Sequence, residues 1–397
     1  MIHRSLESIL PNLAKGFPAV ALVGPRQSGK TTLAKTLFAK HRYVSLESLD
    51  WRERAENDPR GFLADMGDHI ILDEVQRVPS LFTYLQEWLD EEGHHAVLTG
   101  SQQFLLMESI SQSLAGRIAH FELLPFTWAE LQGQPKLDLR RGIHRKFKGT
   151  KPSQSTLEIM CRGFYPRIHA QGLNAHRWLD DYLRTYVERD VRLLSQVADL
   201  AAFTLMLRLL ASQAGSMLNM ATLAMQVGVS QPSTRRWISL LETSGIVFLL
   251  QPYHKNFGKR LLKTPKPYFL DTGLLCVLLG IRDAGQLEVH PLRGHVFENM
   301  IVAEYWKQFW HHGKRPQMWF WRDSHGLEVD LLIESEGTLH PIEIKSTATW
   351  RKDLSVGLEK WLALPGQQAT QGLVIYDGTS VHGSQAAIAT APWWMCV

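Results

Sequence analysis

An apolar run from Ala19 to Val23 leads directly into Gly24-Pro25-Arg26-Gln27-Ser28-Gly29-Lys30-Thr31, and a helix-forming stretch from Lys30 to Ala39 follows. A buried strand, a glycine-bearing loop and a helix in that order restrict the chain to a parallel α/β core, because backbone N–H groups and the positive helix end then converge on one point. That point suits a triphosphate. Gly24, Pro25, Arg26, Gln27, Ser28 and Gly29 are expected to wrap the phosphates, with Thr32 beside them at the helix start. Lys30 is expected to reach the β- and γ-phosphates, and the Thr31 hydroxyl to hold Mg²⁺. The motif implies binding and hydrolysis of ATP.

Two further strands are expected to end at the same edge. Ile70, Ile71 and Leu72 deliver Asp73 and Glu74 to a strand's carboxyl end, where ligands collect in open parallel sheets. Asp73 is assigned to the Mg²⁺ water shell and Glu74 to the attacking water. Val97 and Leu98 run into Thr99-Gly100-Ser101; Ser101 is the candidate γ-phosphate sensor and Thr99 the alternative.

A chain of 397 residues exceeds one core and implies two or three domains. Cys161, Cys276 and Cys396 are scattered and odd in number, so a reduced, cytoplasmic protein is expected. The first residues lack a signal-like hydrophobic region, and no apolar run approaches bilayer-spanning length, which leaves no role for a membrane. The net charge of +4 is too small for an overall field, so contacts with nucleic acid must come from local patches.

Such patches exist. The segment from Pro135 to Ser153 holds Lys136, Arg140, Arg141, Arg145, Lys146, Lys148 and Lys151 against a single Asp138, and a second run holds His254, Lys255, Lys259, Arg260, Lys263 and Lys266. Either serves DNA or is solvated surface. Between them, Thr222 opens a short helix, Val227-Gly228-Val229 makes a turn, and Ser230 caps a second helix with Ser233, Thr234, Arg235 and Arg236 outward and Trp237, Leu240 and Leu241 inward. With the strand Gly245 to Leu250 this is the pattern of a winged helix. Arg235 and Arg236 then lie on a recognition helix, or the unit packs and assembles.

The last hundred residues carry Glu298 on an amphipathic helix, Asp330 on the strand 327–333, and Glu343 with Lys345 on one face of the strand 341–345. One helix acid, two strand acids and a lysine form a kit for metal-dependent phosphodiester cleavage, with Glu298, Asp330 and Glu343 as ligands and Lys345 steadying charge.

These motifs, with Leu114-Ala115-Gly116-Arg117, the stretch 181–191 and Tyr268-Phe269-Leu270-Asp271-Thr272-Gly273-Leu274, resemble the prokaryotic AAA+ class P-loop ATPases that carry a winged helix and a C-terminal restriction-endonuclease-like domain. The resemblance implies an α/β chain: a P-loop NTPase parallel sheet with helices on both faces (1–134), a basic insert and helical lid (135–210), a winged helix-turn-helix (211–290) and a small endonuclease-like α/β domain (291–397). It implies a homo-oligomeric ring, a hexamer as the first expectation, in which Arg117 or Arg189 completes a neighbour's site. The basic insert departs from the compact pattern. Two function classes stay open: a DNA-acting motor with a nuclease-like module, and a regulatory ATPase whose C-terminal module mediates assembly or binds a protein.

Overall fold

A computed structural model of the chain describes residues 2–101, 114–134, 146–191, 199–253, 264–365 and 369–397, the side chains of 188–190 excepted. The side chain of Arg189, the residues Lys259 and Arg260, and the stretch 135–145 of the first basic segment lie outside the described residues.

The first sheet contains β1 (Ala19–Val23), β2 (Arg42–Ser45), β3 (His69–Asp73), β4 (His95–Gly100) and β5 (Ile118–Glu122). Their order is β2-β3-β4-β1-β5, and every pairing is parallel. The period of two sends side chains to both faces, so both must be covered by helices. On one face Ala19, Ala21, Val23, Leu72 and Leu98 pack with Ala55, Phe62 and Leu85 of three following helices. On the other Val20, Leu22, Ile71 and Val97 pack with Leu6 and Leu10 of the first helix and Leu33 and Ala34 of the helix after the loop. Register brings the functional ends together: Val23 aligns with Gly100, and Asp73 with Thr99.

Helices Thr156–Arg162, Pro166–Gln171, Ala175–Thr185 and Leu200–Ser212 come next, then Met220–Val227 and Gln231–Thr243 with a turn at Gly228. Ser230 caps the latter helix as expected, its Oγ accepting from the Ser233 N–H at 3.2 Å. Strands β6 (Val247–Leu250) and β7 (Lys266–Phe269) pair antiparallel. A 19-residue helix, Arg293–His311, leads to the second sheet. That sheet holds β8 (Met318–Arg322), β9 (Glu328–Ser335), β10 (Thr338–Lys345), β11 (Gly372–Tyr376) and β12 (Ile388–Pro392), ordered β12-β11-β10-β9-β8. β8, β9 and β10 are antiparallel, whereas β10, β11 and β12 are parallel. One contiguous apolar core runs from Leu124 through the helical middle and the Arg293–His311 helix to Val397. The boundaries expected at 210/211 and 290/291 therefore fall inside a shared core.

Where the two halves meet, Arg4 is buried and donates in three directions: to Glu130 Oε1 at 3.2 Å, to the Ser28 carbonyl at 2.8 Å and to the Leu124 carbonyl at 2.6 Å. His311, at the end of the long helix, lies with Nδ1 3.2 Å from Glu130 Oε1 and accepts from the Leu124 N–H at 3.1 Å. Burial alone would raise the Glu130 carboxyl, but the charge of Arg4, the hydrogen bond from His311 and the N–H of Ser5 outweigh it and hold Glu130 well below the usual carboxylate range. Buried ion pairs of this kind add little over an apolar substitute, yet breaking one leaves a naked charge at a cost of about 3–5 kcal/mol. Glu130→Gln is expected to lower stability by that order in chemical denaturation at pH 7. Because the folded pKa is depressed, the Glu130 contribution is complete above an unfolded value of about 4.3 and is lost only as pH falls through the folded value. The gap between wild type and variant should therefore persist at pH 5; a gap already closed there contradicts the buried pairing.

Candidate functional site

The loop turns sharply because Gly24 and Gly29 take positive φ values of 138° and 97°. At Gly24 an added Cβ would sit 2.2 Å from the Leu123 carbonyl oxygen, so no side chain fits. The loop ends at the N-terminus of the helix Lys30–Leu37. Lys30 Nζ curls over it, donating to the carbonyls of Gly24 at 3.0 Å and Pro25 at 2.8 Å. Burial pulls the Lys30 ammonium down to about 8, against the opposing charges of Glu74 and Asp73.

Asp73, at the end of β3, collects hydroxyl donors. Thr31 Oγ1 donates to its two oxygens at 3.1 and 3.2 Å, Tyr43 OH donates at 2.8 Å, and Thr99 Oγ1 also donates. A carboxylate beside a threonine hydroxyl at a helix N-terminus is a hard-oxygen donor set of the type Mg²⁺ takes. Glu74 has φ 56°, a left-handed conformation that a non-glycine residue adopts only under constraint. Its Oε2 accepts from Ser101 Oγ at 3.0 Å and Gln76 Nε2 at 2.5 Å. Ser101 thus touches the Glu74 carboxylate and Thr99 the Asp73 carboxylate, each from the end of β4.

These groups open into a cleft of about 710 Å³, which Gln27 and Thr32 also line. Its far wall is helical: Arg167, Gln171, Tyr182, Thr185 and Tyr186 face the loop. The turn Tyr186–Val191 that contains Arg189 therefore begins at the cleft. Arg117 is elsewhere. Its carbonyl accepts from the Ala19 N–H at the opposite edge of the sheet, and its guanidinium grips Asp90 through bonds of 2.7 and 2.9 Å. Arg235 and Arg236 are exposed on the helix Gln231–Thr243, whereas Thr234, expected to face outward with them, is buried and turns its hydroxyl back to the Ser230 carbonyl at 3.2 Å.

Against the second sheet the four C-terminal residues, Glu298 from the long helix and Asp330, Glu343 and Lys345 from β9 and β10, lie close enough to act on one another, together with partners that sequence reasoning missed. Lys345 Nζ donates to Glu343 Oε1 at 2.5 Å, and Asp330 Oδ2 accepts from the Ile344 N–H at 2.8 Å. Glu298 accepts from Tyr268 OH at 2.5 Å and lies 3.7 Å from Lys266 Nζ, which donates to Glu328 at 2.5 Å. Burial and the charge of Asp330 push both Glu298 and Glu343 up to about 7. The expectation of a metal centre at Glu298, Asp330 and Glu343 is corrected: among the described residues no three acidic, histidine or cysteine side chains are grouped to hold an ion. Lysine ammonium groups take up the carboxylates instead.

Tyr43, Gln76 and Arg4 around the loop, and Lys266, Tyr268 and Glu328 in the pocket, were not found from sequence. A basic residue followed two positions later by a tyrosine on one strand face was the available signal for Lys266 and Tyr268.

Comparisons with known proteins divide the chain in three. The AAA domain family matches residues 16–132, and two domains of unknown function, DUF8612 and DUF4143, match residues 153–285 and 293–394. Among solved structures, the Walker-type ATPase paby2304 of Pyrococcus abyssi is 14% identical, with a TM-score of 0.46 over 70% of this chain and 96% of that one. The Orc1 protein of Aeropyrum pernix, solved in complex with DNA, is 15% identical with a TM-score of 0.31 over 72% and 94%. Among the described residues no helix is long and apolar enough to cross a membrane. Two mycobacterial proteins, the uncharacterized protein Mb2031c of Mycobacterium bovis and the uncharacterized protein Rv2008c of Mycobacterium tuberculosis, are each 30% identical over 91% of this chain and 77% of their own length. With its P-loop between β1 and a helix and its acidic pair at the end of β3, the chain belongs to the family of these mycobacterial proteins and carries an AAA-class P-loop ATPase domain.

Proposed function

We propose that the chain is a Mg²⁺-dependent ATPase that drives work on DNA. The observation that carries the ATPase reading is the convergence of Lys30, the Thr31–Asp73 contact and the Glu74–Ser101 contact on one cleft at the carboxyl edge of a parallel sheet. Thr31 and Asp73 would hold the metal, which when bound supplies charge neutralisation at the β- and γ-phosphate oxygens. Lys30 trades the Gly24 and Pro25 carbonyls for phosphate oxygens. Glu74 accepts a hydrogen bond from the attacking water and aligns it. Ser101, now on Glu74, can exchange that carboxylate for the γ-phosphate, so that arrival of triphosphate releases Glu74 from Ser101.

Glu74→Gln should bind ATP with unchanged affinity and lose turnover by at least a hundredfold, whereas Lys30→Ala should lose binding itself. Undiminished hydrolysis in both variants contradicts the assignment. Ring assembly belongs to the same reading. Arg117 is too far along the sheet to serve its own cleft, so an Arg117→Ala preparation that regains activity on mixing with Lys30→Ala supports a contribution in trans, and no gain on mixing opposes it.

The DNA reading rests on the helix pair around Gly228 with β6 and β7, which we take as a winged helix, and on exposed Arg235 and Arg236 at the start of its second helix. The second sheet, with a helix acid and two strand acids on one pocket, supports an endonuclease-like architecture for the C-terminal part. Its lysine-filled pocket favours gripping over cutting. Lys259 and Arg260 belong to the basic run that follows in the sequence. If Arg235 and Arg236 each contact a phosphate, converting both to Glu should weaken DNA binding and reduce the salt slope by about 2. DNA affinity that is absent at low salt, with and without nucleotide, moves the function to the regulatory class.

A further inference from the structure

The acidic pocket of the C-terminal part is closed by a residue from another element. Four carboxylates, Glu298, Glu328, Asp330 and Glu343, influence one another there, and Lys345 pairs with Glu343 from the same strand. Arg322 pairs with Glu328 at 2.9 Å from the more exposed side, and a second lysine, Lys266, comes from β7, the second strand of the hairpin that precedes the long helix. Its side chain is 3% exposed, donates to Glu328 Oε1 at 2.5 Å, and lies 3.7 Å from Glu298 Oε1. Asp330 also acts on it, and the ring of Phe320 lies 5.2 Å away. Two residues further along the same strand face, Tyr268 OH donates to Glu298. The strand itself is fastened to the helix that carries Glu298. Phe269 N–H donates to Asn299 Oδ1 at 2.8 Å, and Asn299 Nδ2 donates back to the Phe269 carbonyl at 2.7 Å.

A lysine in this setting has no reason to be buried except the charge around it. Taking an ammonium out of water costs several kcal/mol, which only close carboxylates offset. The carboxylates in turn outnumber the lysines, and Glu343 Oε2 is a buried oxygen with no hydrogen-bond partner. A cation at the position of Lys266 Nζ would meet Glu298 and Glu328 together.

We propose that Lys266 is the resident cation of this pocket: the hairpin inserts its ammonium where a divalent ion would otherwise sit, and ion and lysine exclude each other. The inference concerns the same pocket as the endonuclease-like reading but does not depend on DNA cleavage. It makes the β6–β7 hairpin a clasp between the helical middle and the second sheet, and it ties any metal chemistry in the pocket to withdrawal of that clasp.

The test uses the full-length protein without nucleotide, with bound Mn²⁺ counted by electron paramagnetic resonance and thermal unfolding followed with and without the ion. Wild type and Lys266→Arg should bind no Mn²⁺ attributable to the pocket, that is, none removed by adding Asp330→Asn. Lys266→Met should unfold at lower temperature, gain one Mn²⁺ at least tenfold tighter than wild type, and regain thermal stability with it. A wild-type Mn²⁺ site that Asp330→Asn abolishes overturns the proposal while leaving the pocket a metal site. A folded Lys266→Met that gains no ion overturns both. If Lys266→Met does not fold, Lys266→Gln and the wild-type arm decide in the same way.

Discussion

The molecule depends on a single buried guanidinium. Arg4 sits beneath the phosphate-binding loop, one nitrogen on the Ser28 carbonyl, another on Leu124, and its Nε on Glu130, while its plane covers the Phe126 ring at 4.7 Å. Glu130 closes the capping box of the short helix Trp128–Leu131 by accepting from the Thr127 N–H, and His311 ends the helix that carries Glu298 near its other end. The first helix, the loop, the segment after β5 and the C-terminal half thus meet at one cluster whose charges compensate one another. Remove one and the others are stranded in a medium that cannot solvate them. Two more contacts of the long helix reinforce the junction: Lys307 Nζ donates to the Phe126 carbonyl at 2.7 Å, and Glu304 accepts from the Trp128 N–H at 2.8 Å.

The consequence is a nucleotide site that is not isolated from the rest of the chain. Arg4 touches the loop from below. Gly245, just past the helix bearing Arg235 and Arg236, abuts Pro25 so closely that a Cβ there would lie 2.8 Å from the proline ring. The phosphate-binding loop and the second half are in contact through these two points, and the shared core beyond Leu124 leaves little room for the parts to move independently.

Legibility in the sequence followed burial. β1, β3 and β4 announce themselves as apolar runs because both their faces are covered, and with them came the loop, Asp73, Glu74 and Ser101. β2 and β5 did not, since Arg42 and Tyr43 in one and His120 and Glu122 in the other interrupt the pattern where the strand meets an edge or a polar neighbour. Tyr43 was lost with β2, although its hydroxyl holds Asp73. The period of two correctly placed Glu343 beside Lys345. It could not reveal Lys266, because that residue reaches the acids only through a hairpin whose packing onto the Arg293–His311 helix is a tertiary fact. As part of a basic run, Lys266 is expected at a DNA contact or on solvated surface; it is buried among carboxylates instead. Arg4 had no signal at all. Its partners are 24 to 307 positions away in the chain.

The account turns on what Lys30, Thr31, Asp73 and Glu74 do when nucleotide arrives, and a crystal structure of the full chain with Mg²⁺ and a non-hydrolysable ATP analogue tests this most directly. It should show Lys30 Nζ moved from the Gly24 and Pro25 carbonyls to the β- and γ-phosphates. Thr31 Oγ1 should lie in the metal's coordination shell with Asp73 behind it, and Ser101 should have released Glu74. Nucleotide bound away from the loop, or bound there with Lys30 still on the two carbonyls and Ser101 still on Glu74, would contradict it.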